Sequence, residues 1–201
     1  SPGISFNKLK KSYPEIESKK FISEIEFASR FTDAFIIAVT GSNGKTTTAT
    51  LIYHILKSAG LNVGLAGNIG VSFASSVCDY SYDYYVLEVS SFQLDHSITF
   101  KPNISVITNI SPDHLDRYDE DFDLYTLSKY SIVKNQKPND FFIYNNDCNV
   151  TKKIFSRVQI KSKSISFSTK QNSGLKHSIY TNNNNIISLI NKEKFMLSTD
   201  K

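Results

Sequence analysis

The chain has 201 residues, 40% of them hydrophobic and 21% charged, with a formal net charge of +4, a composition that excludes collagen-like, low-complexity and wholly disordered classes. No apolar run approaches the roughly 18 to 20 residues of a membrane helix, so no membrane insertion is expected. The opening Ser1-Pro2-Gly3-Ile4-Ser5 has neither an initiator Met nor a secretory pattern, which points to a cytoplasmic piece cut from something longer. Residues 150–201 carry ten Lys or Arg against two acids, but these charges alternate with strand-like apolar residues and match no nucleic-acid-reading motif. They read as a solvated face, and no nucleic-acid partner is expected. Cys78 and Cys148 lack any companion at metal-ligand spacing and read as buried small apolar residues.

In chain order, residues 1–34 hold one predicted helix, 23–31, and otherwise read as a connector. Apolar, β-rich runs follow at 35–40, 61–66, 84–89, 104–110 and 141–144, with helical stretches between them. Strands alternating with helices predict a doubly wound parallel sheet. The first crossover helix shows Ala49, Ile52, Leu56 and Ala59 at steps of three and four, closed by Gly60. A second predicted helix spans 121–136, with acids at its start. Beyond residue 150 the pattern changes to short alternating stretches at 164–167, 178–181, 186–190 and 194–197, with Asn182-Asn183-Asn184-Asn185 as a turn. The expected fold class is therefore α/β: a P-loop-type, mostly parallel sheet with helices on both faces, plus a small antiparallel β subdomain near the C-terminus.

The sharpest local signal is Val39-Thr40-Gly41-Ser42-Asn43-Gly44-Lys45-Thr46-Thr47, lying between a predicted strand and a predicted helix. Glycines let backbone N–H groups curl around phosphate oxygens, the helix start adds partial positive charge, Lys45 reaches the outer phosphates, and the Thr46 hydroxyl suits Mg²⁺. The spacing departs from G-x-x-x-x-G-K-[ST], because Val39 stands where the first glycine belongs. Glu88 closes the third strand, where ligands gather in open α/β sheets and a carboxylate can hold hydrated Mg²⁺. Asp113-His114-Leu115-Asp116-Arg117-Tyr118 follows the fourth strand. Its His and acids suit a second metal or a substrate, or a polar turn with local hydrogen bonds.

Together these segments resemble the Mur ligase family, ATP-dependent enzymes that add amino acids to the UDP-muramoyl peptide precursor of the bacterial cell wall. Residues 41–46 are similar to the family's phosphate loop. Gly67-Asn68-Ile69-Gly70, Leu87-Glu88-Val89-Ser90-Ser91-Phe92-Gln93-Leu94 and Asp113-His114-Leu115-Asp116-Arg117-Tyr118 look most like its D-glutamate-adding branch. The resemblance implies ATP on Gly41, Ser42, Asn43, Gly44, Lys45, Thr46 and Thr47. It implies two Mg²⁺ ions among Thr46, Glu88, His114 and Lys129, and a catalytic set of Lys45, Asn68, His114 and Lys129, with Lys129 carrying a CO₂-derived carbamate. It further implies UDP-N-acetylmuramoyl-L-alanine and D-glutamate as substrates, in peptidoglycan synthesis for cell shape and division. By the same resemblance, residues 35–201 are a central ATP-binding domain, inactive alone, whose N-terminal UDP-binding and C-terminal domains are missing. The likeness weakens after about residue 150.

Lys129 also has a reading from the residues alone. Phe122, Tyr125, Ile132 and Val133 share one face of the second predicted helix, and Lys129 projects from the middle of it. The helix leaves two readings open, an inward amine or a packed stem with a snorkelling amine. Other protein classes also remain. A folylpolyglutamate synthase shares the chemistry but would replace Thr46-Thr47 with Gly-Ser and lack the Ser-Ser-Phe-Gln-Leu run, and a P-loop switch or kinase would bind nucleotide without a muramoyl peptide.

Overall fold

A computed structural model describes residues 6–17, 21–155, 157–170, 177–182, 185–190 and 193–198. The helices are α1 (Phe6–Ser12), α2 (Glu24–Ala28), α3 (Lys45–Ser58), α4 (Phe73–Asp79), α5 (Ser91–Asp95), α6 (Phe122–Tyr130) and α7 (Asn149–Ile154). The strands are β1 (Phe35–Thr40), β2 (Val63–Gly67), β3 (Tyr84–Glu88), β4 (Ile104–Ile107), β5 (Phe141–Asn145), β6 (Lys163–Ser168), β7 (Ser178–Asn182), β8 (Asn185–Ile190) and β9 (Glu193–Ser198).

All nine strands form one sheet in the order β2-β3-β1-β4-β5-β6-β7-β8-β9. Strand β1 lies between β3 and β4, and its residues from Ile36 to Thr40 are buried on both faces. Ile36 and Ala38 pack with α2, α4, α5, α6 and α7 on one side. Ile37 and Val39 pack on the other against Ala49, Ile52, Tyr53 and Leu56 of α3. Of the seven helices among the described residues, five thus pack on one face and α3 on the other. No helix among the described residues is long and apolar enough to cross a membrane.

Helix ends follow local chemistry. Helix α3 closes with Gly60 N–H on the Lys57 carbonyl and Leu61 N–H on that of Leu56, 3.0 and 3.2 Å, the paired bonds of a Schellman cap. Helix α6 is shorter than the pattern predicts: Asp121 caps its start through the amides of Asp123 and Leu124, and a 3-10 turn over Ser131–Val133 replaces its last part. There the Ser131 hydroxyl takes the Ser128 carbonyl at 2.6 Å, competing with the helical ladder.

Two expectations need adjustment. Strands β6 and β7 extend the parallel sheet, Ser166 beside Ser178, and only β8 and β9 run antiparallel. Period-two alternation marks a strand but carries no direction. Of the predicted four-Asn turn, Asn182 pairs with Asn185, while Asn183 and Asn184 lie outside the described residues. The cysteines are not both buried: Cys78 is exposed and Cys148 half-buried, because α4 turns Phe73 and Ser76 inward instead.

Candidate active site

Strand order sets the position of the site. From β1 the chain leaves through α3 to one face, whereas the helices after β3 and β4 lie on the other. The carboxyl ends of β3, β1 and β4 therefore frame the crevice where open α/β sheets place ligands. Residues 41–44 turn from β1 into α3 across this crevice. Gly41 has φ +143°, and a Cβ there would strike the Thr108 hydroxyl and meet the Asn109 carbonyl at 3.1 Å. Only glycine combines that conformation with that approach.

The segment after β4 buttresses the loop. The Asn109 carbonyl accepts the Ser42 N–H at 2.9 Å, and its Oδ1 accepts the Asn43 N–H at 3.0 Å. The Asn43 carbonyl in turn takes Thr108 Oγ1 at 2.6 Å and Asn109 Nδ2 at 2.9 Å. The first intrahelical bond of α3 runs from Thr48 N–H to the Gly44 carbonyl. The amides of Lys45, Thr46 and Thr47 thus stand at the helix start without intrahelical acceptors, as an anion site requires. Sequence reading missed Thr108, Asn109 and Ser111, whose partners lie more than sixty positions away. An Asn inside the apolar run 104–110 was the one available signal.

Three expected residues converge beside the loop. Glu88, 3% exposed, accepts the Thr46 hydroxyl on Oε2 at 2.6 Å and Asn68 Nδ2 on Oε1 at 2.9 Å. The Asn68 amide also donates to the Glu88 carbonyl at 2.8 Å. Gly67 makes this docking possible, since at φ +106° a Cβ would strike that same carbonyl. A hydroxyl and a carboxylate side by side form a hard-oxygen donor pair suited to Mg²⁺ completed by phosphate and water.

The two lysines meet on one atom. Lys45 Nζ donates to the carbonyls of Gly41 and Ser42, 3.0 and 2.9 Å, and Lys129 Nζ donates to the same Gly41 carbonyl at 2.9 Å. Lys129 is 2% exposed, so the inward of its two readings is the observed one. Burial and then the Lys45 cation lower its ammonium to about 7, against the opposing pull of Asp113 and Asp95.

His114 does not join this group. It stands at φ +50°, largely exposed, with Nε2 3.7 Å from Asp113 Oδ2. Among the described residues no cluster of three or more His, Cys, Asp or Glu forms a metal site. Other motif residues serve the frame. Ser90 and Gln93 form the capping box of α5, Arg117 lies over the Phe92 ring at 4.5 Å, and the Tyr118 hydroxyl donates to Asp95 at 2.9 Å. The Ser-Ser-Phe-Gln-Leu and Asp-His-Leu-Asp-Arg-Tyr motifs are thus docked on each other.

Residues 39–199 match the family model "Mur ligase middle domain". A UDP-N-acetylmuramoylalanine–D-glutamate ligase of Bacteroides fragilis is 54% identical over 153 residues, covering 76% of this chain and 34% of that protein. The ligase of the same name from Christiangramia forsetii is 45% identical over 181 residues, covering 90% and 40%. The chain therefore spans little more than a third of the length of these relatives. Among solved structures, a MurF ligase from Thermotoga maritima in complex with ADP shares the fold at a TM-score of 0.60 and 20% identity, over 90% of this chain and 44% of that one. With the family model matched over most of its length, this chain belongs to the Mur ligase family, as a middle domain.

Proposed function

We propose that the chain is the nucleotide-binding centre of an ATP-dependent ligase that joins D-glutamate to UDP-N-acetylmuramoyl-L-alanine in cytoplasmic peptidoglycan synthesis. Residues 35–201 act as its central domain, between one domain that holds the UDP and another that closes over ATP. The observation that carries the reading is the convergence of Thr46, Glu88 and Asn68 beside a glycine loop whose Gly41 carbonyl holds both Lys45 and Lys129.

A carboxylate is a poor electrophile, so in this reaction the muramoyl-alanine carboxylate attacks the γ-phosphorus of ATP, the bond to ADP breaks, and an acyl phosphate forms. The amine of D-glutamate then adds to the acyl carbon and phosphate leaves as the amide closes. Helix α3 offers its free amides to the phosphates. Lys45 gives up its two carbonyl bonds to follow the charge moving onto the leaving oxygen. Asn68 fixes the Glu88 carboxylate so that it faces Thr46. Those two would hold Mg²⁺, which would supply charge neutralisation for the phosphoryl transfer. A carbamate on Lys129 fits the same geometry: its remaining N–H keeps the Gly41 carbonyl, and its negative charge replaces Lys45–Lys129 repulsion by attraction. The resemblance makes His114 an orienter or second-metal ligand, a role that requires it to leave its exposed position beside Asp113.

Calorimetry with Mg-ADP tests the reading. The unaltered chain is expected to bind weakly and to need Mg²⁺. Lys45→Ala should cost about 1.5 to 3 kcal/mol, roughly ten- to a hundredfold; equal affinities would remove the phosphate-loop assignment. Residues 1–201 alone are expected to make no ligated product, because closure and substrate positioning come from elsewhere. Turnover at an ordinary enzymatic rate would overturn the domain assignment.

A further inference from the structure

We propose that Tyr125 is a positioning residue of the phosphate loop, donating the hydrogen bond that fixes Ser42 in the shape that receives nucleotide phosphates; the inference rests on the nucleotide-binding reading above. Tyr125 is 1% exposed on α6, and its hydroxyl lies 2.9 Å from Ser42 Oγ. Hydrogen-bond accounting sets the direction. A serine hydroxyl has one proton and two lone pairs. Ser42 spends its proton on the Ser111 carbonyl at 2.8 Å and accepts the Ser111 N–H at 2.9 Å. One lone pair remains, so the tyrosine is the donor and the serine oxygen is saturated.

The ring gives this bond a fixed origin. Tyr118 meets it edge-on at 5.5 Å and Phe122 stacks on it at 6.2 Å, so the buried ring is packed between aromatic neighbours. The Lys129 ammonium lies over the same ring at 4.6 Å, one helical turn further along α6. Helix α6 therefore grips two consecutive loop residues, Gly41 through Lys129 and Ser42 through Tyr125. These are the residues whose carbonyls hold the Lys45 ammonium. The lysine attachment changes with the charge on the amine. The tyrosine attachment is a bond between neutral hydroxyls and persists whatever state either lysine adopts, so loop shape is held apart from the charge changes that the reaction imposes.

Tyr125→Phe removes one oxygen and keeps every ring contact. With the 201-residue chain and Mg-ADP as probe, it is expected to bind about tenfold more weakly and to shift the amide resonances of Asn43, Gly44 and Lys45 before nucleotide is added. Ser42→Ala, which also removes both bonds to Ser111, should cost less affinity in the Tyr125→Phe chain than in the unaltered one, since the bond between the two hydroxyls is then already gone. Ser128→Ala is the structural control: on the same helix it breaks a buried bond to the Ser91 carbonyl, 2.9 Å, and a contact with the Tyr118 hydroxyl at 3.1 Å, while Tyr118 keeps its bond to Asp95 and no bond to the loop is removed. It should lower the melting temperature and leave ADP affinity unchanged. A Tyr125→Phe chain that melts earlier but binds Mg-ADP as the unaltered chain does would overturn this inference alone. No binding by the unaltered chain would overturn the nucleotide-binding reading, and this inference with it.

Discussion

Glu26 and Lys129 are both withdrawn from water, at 0% and 2% exposure, yet their surroundings are opposite in kind. The Glu26 carboxylate collects the amides of Ile98, Thr99 and Phe100 on one oxygen, at 3.0, 2.9 and 2.7 Å. The Thr99 hydroxyl and Arg30 bind the other, both at 2.7 Å. Burial pulls its pKa upward, but these donors outweigh burial and bring it to about 2. Lys129 has one carbonyl, one aromatic face and a second cation for company, and its pKa falls to about 7 instead. A buried charge saturated with partners fastens two parts of the chain together. One left short of partners is held close to losing its charge, the condition that reactive groups share.

The largest effect should come from breaking the saturated site. Glu26→Ala removes the shared acceptor of three backbone amides, the Thr99 hydroxyl and the half-exposed Arg30, a loss of about 3 to 5 kcal/mol in urea unfolding. A loss below about 1 kcal/mol would mean that these donors find water, and the contrast with Lys129 would fail. The pH window follows from the direction of the shift. The folded pKa lies below the unfolded value of 4.5, so the stabilisation is complete above pH 4.5 and drains away as pH falls through about 2. By linkage it amounts to about 3 kcal/mol. Glu26→Gln, measured beside the unaltered chain, should flatten the stability profile across that interval; parallel profiles would show that another carboxylate carries the acid sensitivity.

The same pair shows where sequence reading reaches. The place of Lys129 on an inward face was legible, because the 3.6-residue period sets it between Tyr125 and Val133, although the helix alone left the direction of its amine open. Glu26 was not, because its three amide donors lie 72 to 74 positions away and a Glu in a five-residue helix carries no mark of burial. The phosphate loop divides likewise. Its glycines and Lys45 announced themselves, whereas Asn109, Ser111 and Tyr125, which hold it in shape, become its neighbours only through the β1–β4 pairing. Strands β1 to β5 were readable because parallel strands covered on both faces are continuous apolar runs. The Asp-His-Leu-Asp-Arg-Tyr segment was readable as a polar stretch after the fourth strand, but not its conformation, which sets His114 at φ +50° beside Asp113 at the surface.

The smallest effect, and the one that sharpens the contrast most, concerns the unsaturated site. The folded pKa of Lys129 lies below the unfolded value of 10.5, at about 7. Below pH 7 both states hold the proton, and the folded state bears the whole cost of burying it. Between 7 and 10.5 the unfolded state binds the extra proton, so stability climbs with pH. Lys129→Met keeps the stem and removes the charge. It also gives up the bond to the Gly41 carbonyl, which Lys45 still satisfies. The net expectation in CO₂-free buffer at pH 6 is therefore a chain about 1 to 2 kcal/mol more stable than the unaltered one, with the gap narrowing as pH rises to 9. Bicarbonate at pH 8 should narrow it further in the unaltered chain alone, because carbamylation replaces the disfavoured cation by an anion facing Lys45. If Lys129→Met is instead destabilising at pH 6, the ammonium is as well satisfied as the Glu26 carboxylate, and the distinction between fastening and reactive charges does not hold here.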